Sequence, residues 1–263
     1  MRPRFAAGRL LVRLGRFIQS LALMVMRPRD LLDFTRSAYS TPESVAGWAE
    51  DGLVDAGLAA DEASLLEKVP VCGGELLLLG IGGGREAVPL VSMGFRVTGV
   101  EFVPELAARA EDNLRRRGQT IKVLVQDMSR LDLPEAFFDV AWLTSGGCYS
   151  SVPTRRLRVD VLGRIRRSLK PGGHFLCQFL LSDEREFRRG PESFRRLFAR
   201  LTLGNLSYEP GDRLLNGLEF AHYFSGAPEV RSEFEAGGFR ILHLGLPATG
   251  SLGGAVLKKD DDR

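Results

Sequence analysis

Short apolar runs alternate with amphipathic stretches from about residue 75 to the end of the chain. The apolar runs predict seven strands, at residues 76–79, 96–100, 121–125, 138–143, 174–181, 240–246 and 254–258. Helical spacing predicts helices between them, at residues 86–93, 104–117, 154–169 and 229–236. Strands that alternate with helices pair in parallel through right-handed crossovers. We therefore expect an α/β fold built on a doubly wound, Rossmann-like sheet.

Other segments depart from this alternation. Residues 1–36 predict an N-terminal arm, and residues 37–69 predict a helical extension with two short helices, the first opening on a capping box of Ser40 and Glu43. The body of the fold then spans residues 70–258. Residues 182–220 interrupt it as an insertion with apolar positions at helical spacing, and residues 259–263 form a charged tail that we expect to be frayed.

The N-terminal arm predicts a basic amphipathic helix. Residues 1–36 carry eight Arg against two Asp, a charge of +6, which leaves −3 for the rest of a chain whose total is +3. Arg9, Arg13 and Arg16 share one side of the helix, and apolar residues cluster away from it. Three interpretations stay open: contact with a membrane surface through residues 1–30, packing on the body with the Arg side in water, and a cleaved targeting peptide. Because the basic charge is confined to the arm, a nucleic-acid partner is not expected.

Composition excludes several classes of protein. A chain of 263 residues with 44% hydrophobic and 26% charged residues is neither disordered nor fibrous. Three Cys and three His lack metal-ligand spacing, so we expect no metal site and no disulfide framework. No apolar run reaches the roughly 18–20 residues of a spanning helix. These features predict a reduced, cytoplasmic protein, peripheral on the inner membrane face if the arm binds lipid.

Candidate chemistry follows the first three strands. A loop with Gly80, Gly82 and Gly84 follows the first strand, where glycines let the backbone approach a ligand. Glu101 ends the second strand, 19 residues beyond Gly82, where a carboxylate can accept both hydroxyls of a ribose. Asp127 and Met128 follow the third strand, where they could bind an exocyclic amine and pack on a flat base. Together these residues predict a site for an adenosine-like ligand.

With these residues in place, the sequence resembles the class I S-adenosylmethionine-dependent methyltransferases over residues 70–258. The similar motifs are residues 76–84, Glu101, Asp127 with Met128, residues 139–143 and residues 169–173. The resemblance implies S-adenosyl-L-methionine as cofactor and a seven-stranded sheet whose last strand is antiparallel. It further implies that Gly80, Gly82 and Gly84 cradle the methionine part of the cofactor, that Glu101 binds the ribose, and that Asp127 and Met128 bind the adenine.

The sequence departs from the family at two positions. Many members carry an acid two residues before the first glycine, where this chain has Leu78, so one familiar contact at the amino-acid end of the cofactor is missing. Residues 144–149 also lack the Asn/Asp-Pro-Pro-Tyr/Phe signature of methyltransferases that act on base or glutamine amides. The second departure argues against those nitrogen acceptors.

No catalytic residue can be assigned from the sequence. Tyr149 and His222 are the candidates for a general base, with Tyr223 beside them, although a structural or substrate-packing role is favoured for each. Cys148 has no neighbouring base to activate it as a nucleophile. Six arginines of the insertion could face an anionic acceptor or simply solvent: Arg185, Arg188, Arg189, Arg195, Arg196 and Arg200.

The function predicted from these features is methyl transfer to a small-molecule acceptor, lipid-like if the arm contacts a membrane. Methylation of RNA or protein is the alternative within the same class. A nucleotide-dependent oxidoreductase is disfavoured, because Arg85 stands where the dinucleotide fingerprint needs a third glycine and the chain has no Tyr-x-x-x-Lys pair. A cofactor-binding regulator without turnover also remains open.

Overall fold

The computed structural model describes residues 3–182, 192–247 and 250–260. Seven strands form one sheet in the order β3-β2-β1-β4-β5-β9-β8, and β6 and β7 form a separate hairpin. The strands are β1 (Gly74–Leu79), β2 (Phe95–Glu101), β3 (Lys122–Val125), β4 (Phe138–Leu143), β5 (Leu169–Leu180), β6 (Asp212–Leu215), β7 (Glu219–His222), β8 (Arg240–Gly245) and β9 (Leu252–Lys258).

The sheet confirms the predicted fold class. β1 pairs in parallel with β2 and β4, β2 with β3, and β4 with β5, whereas β9 runs antiparallel between β5 and β8. All seven predicted strands are present. The fifth strand begins earlier than the predicted residue 174: residues 169–173 lie inside β5, where the pairing register with β4 shifts between the Phe138–Leu169 and Val140–His174 pairs. The β6–β7 hairpin was not predicted.

Helices cover both faces of the sheet and extend beyond it at the N-terminus. Their bounds are α1 (Pro3–Val25), α2 (Pro28–Tyr39), α3 (Pro42–Trp48), α4 (Asp51–Asp55), α5 (Ala60–Leu66), α6 (Ala87–Ser92), α7 (Pro104–Arg116), α8 (Arg155–Ser168), α9 (Glu192–Leu201) and α10 (Ala227–Ala236). Residues 40–68 therefore hold three short helices instead of the predicted two. The N-cap is Thr41, whose hydroxyl accepts the Ser44 N–H at 3.2 Å, whereas the predicted Ser40 donates to the Arg36 carbonyl.

The core has two layers, one on each side of the sheet. Leu77 and Leu79 point to the layer formed with α8 and α10, and Leu76 and Leu78 point to the layer formed with α5, α6 and α7. All four leucines are buried. Successive side chains of a strand point to opposite faces, so a continuous apolar run is what a strand covered on both faces requires.

Among the described residues, the C-terminal end of helix α1 packs on the body. Leu23 and Met24 are buried in a small apolar cluster with Leu31 of α2, Ala199 of α9 and Phe220 of β7. From residue 4 to residue 19 the described side chains are almost all exposed, including seven large apolar ones: Phe5, Leu10, Leu11, Val12, Leu14, Phe17 and Ile18. In the part of the chain that the structure describes, the interpretation in which the helix packs on the body therefore holds for its C-terminal end. The Arg16 side chain lies outside the described residues.

The predicted segment boundaries differ from the structure at three places. The arm was predicted to end at residue 36, which lies inside α2. The insertion was predicted to end at residue 220, which lies inside β7. The predicted frayed tail is wrong for its first residues, because Lys259 is buried and its ammonium donates to the Leu169 carbonyl at 2.9 Å. None of the described helices combines the length and hydropathy needed to cross a membrane.

The N-terminal extension is packed directly on the glycine loop, which gives a test of the fold. A Cβ added at Gly83 would lie 2.1 Å from the Trp48 carbonyl oxygen, so Gly83→Ala must displace α3. We expect this variant to lower the free energy of unfolding by about 1–3 kcal/mol, measured by urea denaturation.

The matched control is Gly47→Ala, which lies in α3 itself. A Cβ at Gly47 meets no atom within 4 Å, and Ala in a helix is more stable than Gly by roughly 0.5–1 kcal/mol. Equal stability of the two variants would contradict the packing of the extension on this loop.

Candidate active site

A cavity lies at the edge of the sheet where β1, β2 and β3 end. Its walls combine that edge with the turn after β4 and with α2, α3 and the β6–β7 hairpin. Most of the lining is apolar, from residues such as Leu32, Trp48, Leu106, Val152 and Leu180. Glu101, Asp127 and Glu219 contribute carboxylates. The position agrees with the general rule that ligands of α/β sheets bind outside the carboxyl ends of the strands.

The glycine loop after β1 forms part of the wall. Gly80 and Gly82 line the cavity and have φ angles of 70° and 54°, in the left-handed region that favours glycine. A Cβ at Gly82 would meet no atom within 4 Å, so this position borders open space. Gly84 has a different role, because a Cβ there would lie 2.6 Å from Leu114 of α7. Its small size allows helix packing, and it is not part of the cavity lining.

Glu101 holds the loop and the end of β2 together. Its side chain is buried and accepts the N–H groups of Gly82 at 2.9 Å, Phe102 at 2.9 Å and Val103 at 3.1 Å. Burial raises the pKa of Glu101, and the three backbone N–H groups oppose this shift. Carboxylate oxygens accept more than one hydrogen bond, so Glu101 can still accept from a ligand hydroxyl in the cavity.

Asp127 and Met128 line the cavity beside Glu101. One Asp127 oxygen accepts the Ser129 N–H at 2.8 Å, and the other lies 3.6 Å from the Arg36 guanidinium of α2. The sequence therefore placed five of its six cofactor candidates on one cavity wall, with Gly84 as the exception.

Arg85, which stands where a dinucleotide site needs glycine, has a structural role. Its guanidinium donates to both oxygens of Glu62 of α5, at 2.8 and 2.7 Å, and to Glu86 at 2.6 Å. Burial raises the pKa of Glu86 to about 7, against the opposing effect of Arg85. These contacts attach the N-terminal extension to the glycine loop.

The structure places both candidate general bases outside the cavity lining. Tyr149 is fully buried, stacks on Phe224, and donates its hydroxyl to Glu233 at 2.8 Å. His222 is fully buried with Nδ1 2.8 Å from Asp212 and Nε2 3.3 Å from Glu229. Neither side chain reaches the space where a ligand would bind.

Cys148 does line the cavity. Burial, followed by nearby carboxylates, raises the pKa of Cys148 to about 12. The side chain is therefore a thiol and not a thiolate at neutral pH, which agrees with the prediction that it is no nucleophile. Of the insertion arginines, residues 185, 188 and 189 and the side chains of residues 195 and 196 lie outside the described residues.

A buried charge network fastens the hairpin to the body. Arg158 of α8 donates to Glu233 of α10 at 2.7 Å and to Glu209, which precedes β6, at 2.6 Å. Ligand atoms of Glu209, Asp212 and His222 lie within 4.8 Å of one another, a spacing that a metal could also use. Here the Arg158 guanidinium supplies positive charge at the cluster. Opposite charges that are paired and hydrogen-bonded can be buried together.

Residues of the N-terminal helices and of the predicted insertion complete the cavity, and sequence reasoning did not single them out. Thr35 and Tyr39 come from α2, Trp48 from α3, and Glu219 from β7. The Tyr39 hydroxyl donates to Glu219, a residue 180 positions away. No motif in the sequence marks these residues, because their proximity depends on the docking of α2 against the hairpin.

Comparison with known proteins agrees with this geometry. A family described as "Methyltransferase domain" matches residues 77–177. A protein-L-isoaspartate O-methyltransferase of Methanoculleus marisnigri is 35% identical over 40% of this chain and 47% of its own length. A 2-methyl-6-phytyl-1,4-hydroquinone methyltransferase of Synechocystis is 28% identical over 59% of this chain and 56% of its own. A phosphatidylethanolamine N-methyltransferase of Cereibacter sphaeroides is 39% identical over 36% of this chain and 46% of its own length. The chain thus spans about half the length of the curated relatives it matches.

Solved structures share the fold over a larger part of the chain. The 1,6-didemethyltoxoflavin-N1-methyltransferase of Burkholderia thailandensis, solved with its substrate and S-adenosylhomocysteine, has a TM-score of 0.61 at 22% identity. The match covers 89% of this chain and 91% of that protein. The methyltransferase-domain match over residues 77–177 and the fold shared with S-adenosylmethionine-dependent methyltransferases of known structure agree with the resemblance drawn from the sequence. The resemblance is confirmed.

The network around His222 predicts how stability depends on pH. Burial alone lowers the pKa of His222, but the hydrogen bonds that its ring donates to Asp212 and Glu229 outweigh burial and hold the pKa above its ordinary value, with Arg158 opposing them. A histidine whose pKa is higher in the folded state than in the unfolded state stabilises the protein fully below its unfolded pKa of about 6.5. This contribution is lost as the pH rises through the pKa of the folded state. We expect the unfolding temperature to fall on this account as the pH rises above about 6.5 and through the folded pKa, by roughly 2–4 °C for each kcal/mol lost.

The His222→Gln variant isolates this contribution. It keeps a polar side chain of similar length but cannot become charged, so its unfolding temperature should change less over the same pH range. Parallel curves for the two proteins would show that His222 carries no such contribution.

Proposed function

We propose that the protein transfers a methyl group from S-adenosylmethionine to a small, largely apolar acceptor. The observation that carries this proposal is the convergence of Gly80, Gly82, Glu101, Asp127 and Met128 on one cavity inside a methyltransferase domain. In this proposal Glu101 binds the ribose hydroxyls and Asp127 with Met128 binds the adenine. The backbone of the glycine loop accommodates the methionine part of the cofactor. Because Leu78 stands where many members of the family carry an acid, binding of this part of the cofactor is weaker.

The residues of the chain fit a cationic sulfonium cofactor. Glu101, Asp127 and Glu219 bring negative charge to a cavity whose walls are otherwise mostly apolar. The cofactor supplies an already activated methyl group, so the protein needs chiefly to align an acceptor and exclude water. Trp48, Leu106 and Leu180 give this space an apolar wall.

The enclosure of the cavity supports a small acceptor. Helix α2 and the β6–β7 hairpin close over the sheet edge and meet through Tyr39 and Glu219. A folded protein or an RNA would need an open approach to the methyl group. This closure therefore favours a small molecule over the macromolecular acceptors of the isoaspartate methyltransferases, and two curated relatives are named for lipid-like acceptors.

Exposed apolar residues support a membrane surface as the place of action. On α1, which also carries Arg9 and Arg13, six large apolar side chains are each more than half exposed: Phe5, Leu10, Leu11, Val12, Leu14 and Ile18. Leu201 and Leu203, each 75% exposed, adjoin the end of α1, where the Asn205 N–H donates to the Met24 carbonyl at 2.7 Å. An exposed apolar surface with nearby arginines suits the headgroup region of an anionic membrane.

Cofactor binding is the first test. We expect Glu101→Gln to weaken the binding of S-adenosylhomocysteine by about 10- to 150-fold in calorimetric titration, since a hydrogen bond to a charged group contributes about 1.5–3 kcal/mol. Glu105→Gln removes the same charge at an exposed position four residues away and should leave affinity unchanged. Failure of the folded wild-type protein to bind S-adenosylhomocysteine would overturn the proposed function.

Membrane contact has a separate test. The double variant Leu10→Asp/Leu14→Asp places two charges on the exposed face of α1, and we expect it to lose at least about tenfold in co-sedimentation with phosphatidylglycerol vesicles. Cofactor affinity should not change. Leu242→Asp is the control, because Leu242 is an exposed leucine on β8, away from α1. Equal sedimentation of the double variant and the wild type would argue against the membrane proposal.

A further inference from the structure

Tyr39 and Glu219 form a polar pair in the cavity wall that the cofactor proposal does not use. Tyr39 ends α2 and Glu219 begins β7, and the phenol donates a hydrogen bond to the Oε2 atom of the carboxylate. Both side chains line the cavity that holds the cofactor candidates. Burial, then the hydrogen bond to Glu219, raises the pKa of Tyr39 far above its ordinary value, so the phenol remains a neutral donor.

Glu219 differs from the other carboxylates of the cavity in its partners. Glu101 accepts three backbone N–H groups, and Asp127 faces the Arg36 guanidinium. Among the described residues, Glu219 has no cationic partner within 4 Å, and Tyr39 is its one hydrogen-bond donor. Glu219 is half-buried, and a carboxylate with one donor has acceptor sites left for a ligand group. This pattern indicates that the Glu219 carboxylate accepts a hydrogen bond from the molecule that receives the methyl group.

The pair also lies close to the reacting part of the site. The charges of Glu219 and Glu101 both raise the pKa of Tyr39 and of Cys148, so the four side chains share one electrostatic environment. Glu101 belongs to the ribose position in the proposed function, and Cys148 touches Gly80 of the glycine loop, since a Cβ there would lie 3.4 Å from the Cys148 sulfur. Glu219 therefore lines the same cavity as Gly80 and Gly82, whose loop accommodates the methionine part of the cofactor in the proposed function.

Helix α2 and the hairpin hold the pair in place. The Thr35 hydroxyl accepts the Phe220 N–H at 3.0 Å, which fixes α2 on the strand that carries Glu219. At the other end of that strand, His222 is bonded to Asp212 and Glu229. The carboxylate thus stands on a strand fastened on two sides, as a group that must meet a reacting atom requires.

From these observations we infer that Glu219 is the proton acceptor for methyl transfer and that Tyr39 is its positioning residue; the inference rests on the proposed function. The acceptor carries an O–H or N–H group on an apolar body. As its oxygen or nitrogen forms the bond to the methyl carbon, the carbon–sulfur bond breaks and its electron pair returns to sulfur. The proton of the acceptor moves to Glu219, from which it passes to solvent after product release.

The test compares two probes that differ only in the O–H group. Binding of 4-hexylphenol and of its methyl ether, 4-hexylanisole, is measured calorimetrically to the protein loaded with S-adenosylhomocysteine. We expect wild-type protein to prefer the phenol by about tenfold, since one hydrogen bond to a charged group contributes about 1.5 kcal/mol or more. In Glu219→Gln this preference should disappear while the anisole binds as before.

Variants separate the roles of the two residues. Tyr39→Phe should reduce the preference for the phenol without changing anisole affinity, whereas a merely structural loss would weaken both probes. Glu235→Gln, an exposed position on α10, is the matched control and should keep the full preference. Thermal unfolding confirms that each variant is folded.

Four other results would overturn the inference about Glu219, and a fifth would refute the proposed function. An unchanged preference in Glu219→Gln, no preference in wild type, or no binding of either probe would overturn the inference. Loss of S-adenosylhomocysteine binding in Glu219→Gln would also overturn it, because Glu219 would then belong to the cofactor site. Failure of wild-type protein to bind S-adenosylhomocysteine would instead refute the proposed function, so the two failures are distinguishable.

Discussion

Parallel pairing of β1 with β2 and β4, and of β2 with β3, is the constraint on which the candidate site depends. Parallel strands end at the same edge, so the loops that follow them meet there whatever their separation in sequence. Glu101 connects two of these loops by accepting the Gly82 N–H across the edge. A carboxylate that is buried to position one loop against another is also available to a ligand between them.

Helix α2 and the β6–β7 hairpin, which close the cavity, are held in place in a different way. Neither α2 nor the hairpin belongs to the sheet, and each is held by a few polar contacts combined with a small apolar cluster. The hairpin in particular depends on Arg158, which bridges Glu209 and Glu233 in a buried position. Breaking such a pair leaves an uncompensated buried charge, which costs about 3–5 kcal/mol. Titratable residues near an active site can therefore serve to anchor it, as Tyr149 and His222 do here.

Helix α1 connects an exposed apolar surface to the elements that form the cavity. Its end packs on α9 and β6, and these elements in turn pack near the cavity-forming α2 and β7. The surface that we propose for membrane contact and the cavity that we propose for catalysis are therefore joined through one apolar cluster. This arrangement suits an acceptor that enters from the membrane surface, where an apolar molecule with a single polar group would be held.

The sequence by itself determined the sheet, the position of the cofactor candidates and the class of domain. These depend on local signals: an apolar run followed by glycines, and an acid at each of two successive strand ends. The tertiary structure alone decided that Gly84 serves helix packing, that Tyr149 and His222 face away from the cavity, and that Tyr39 meets Glu219 from 180 residues away. Such contacts depend on how α2 and the hairpin dock on the body. Docking is set by packing between distant elements, for which periodicity and spacing along the chain carry no signal.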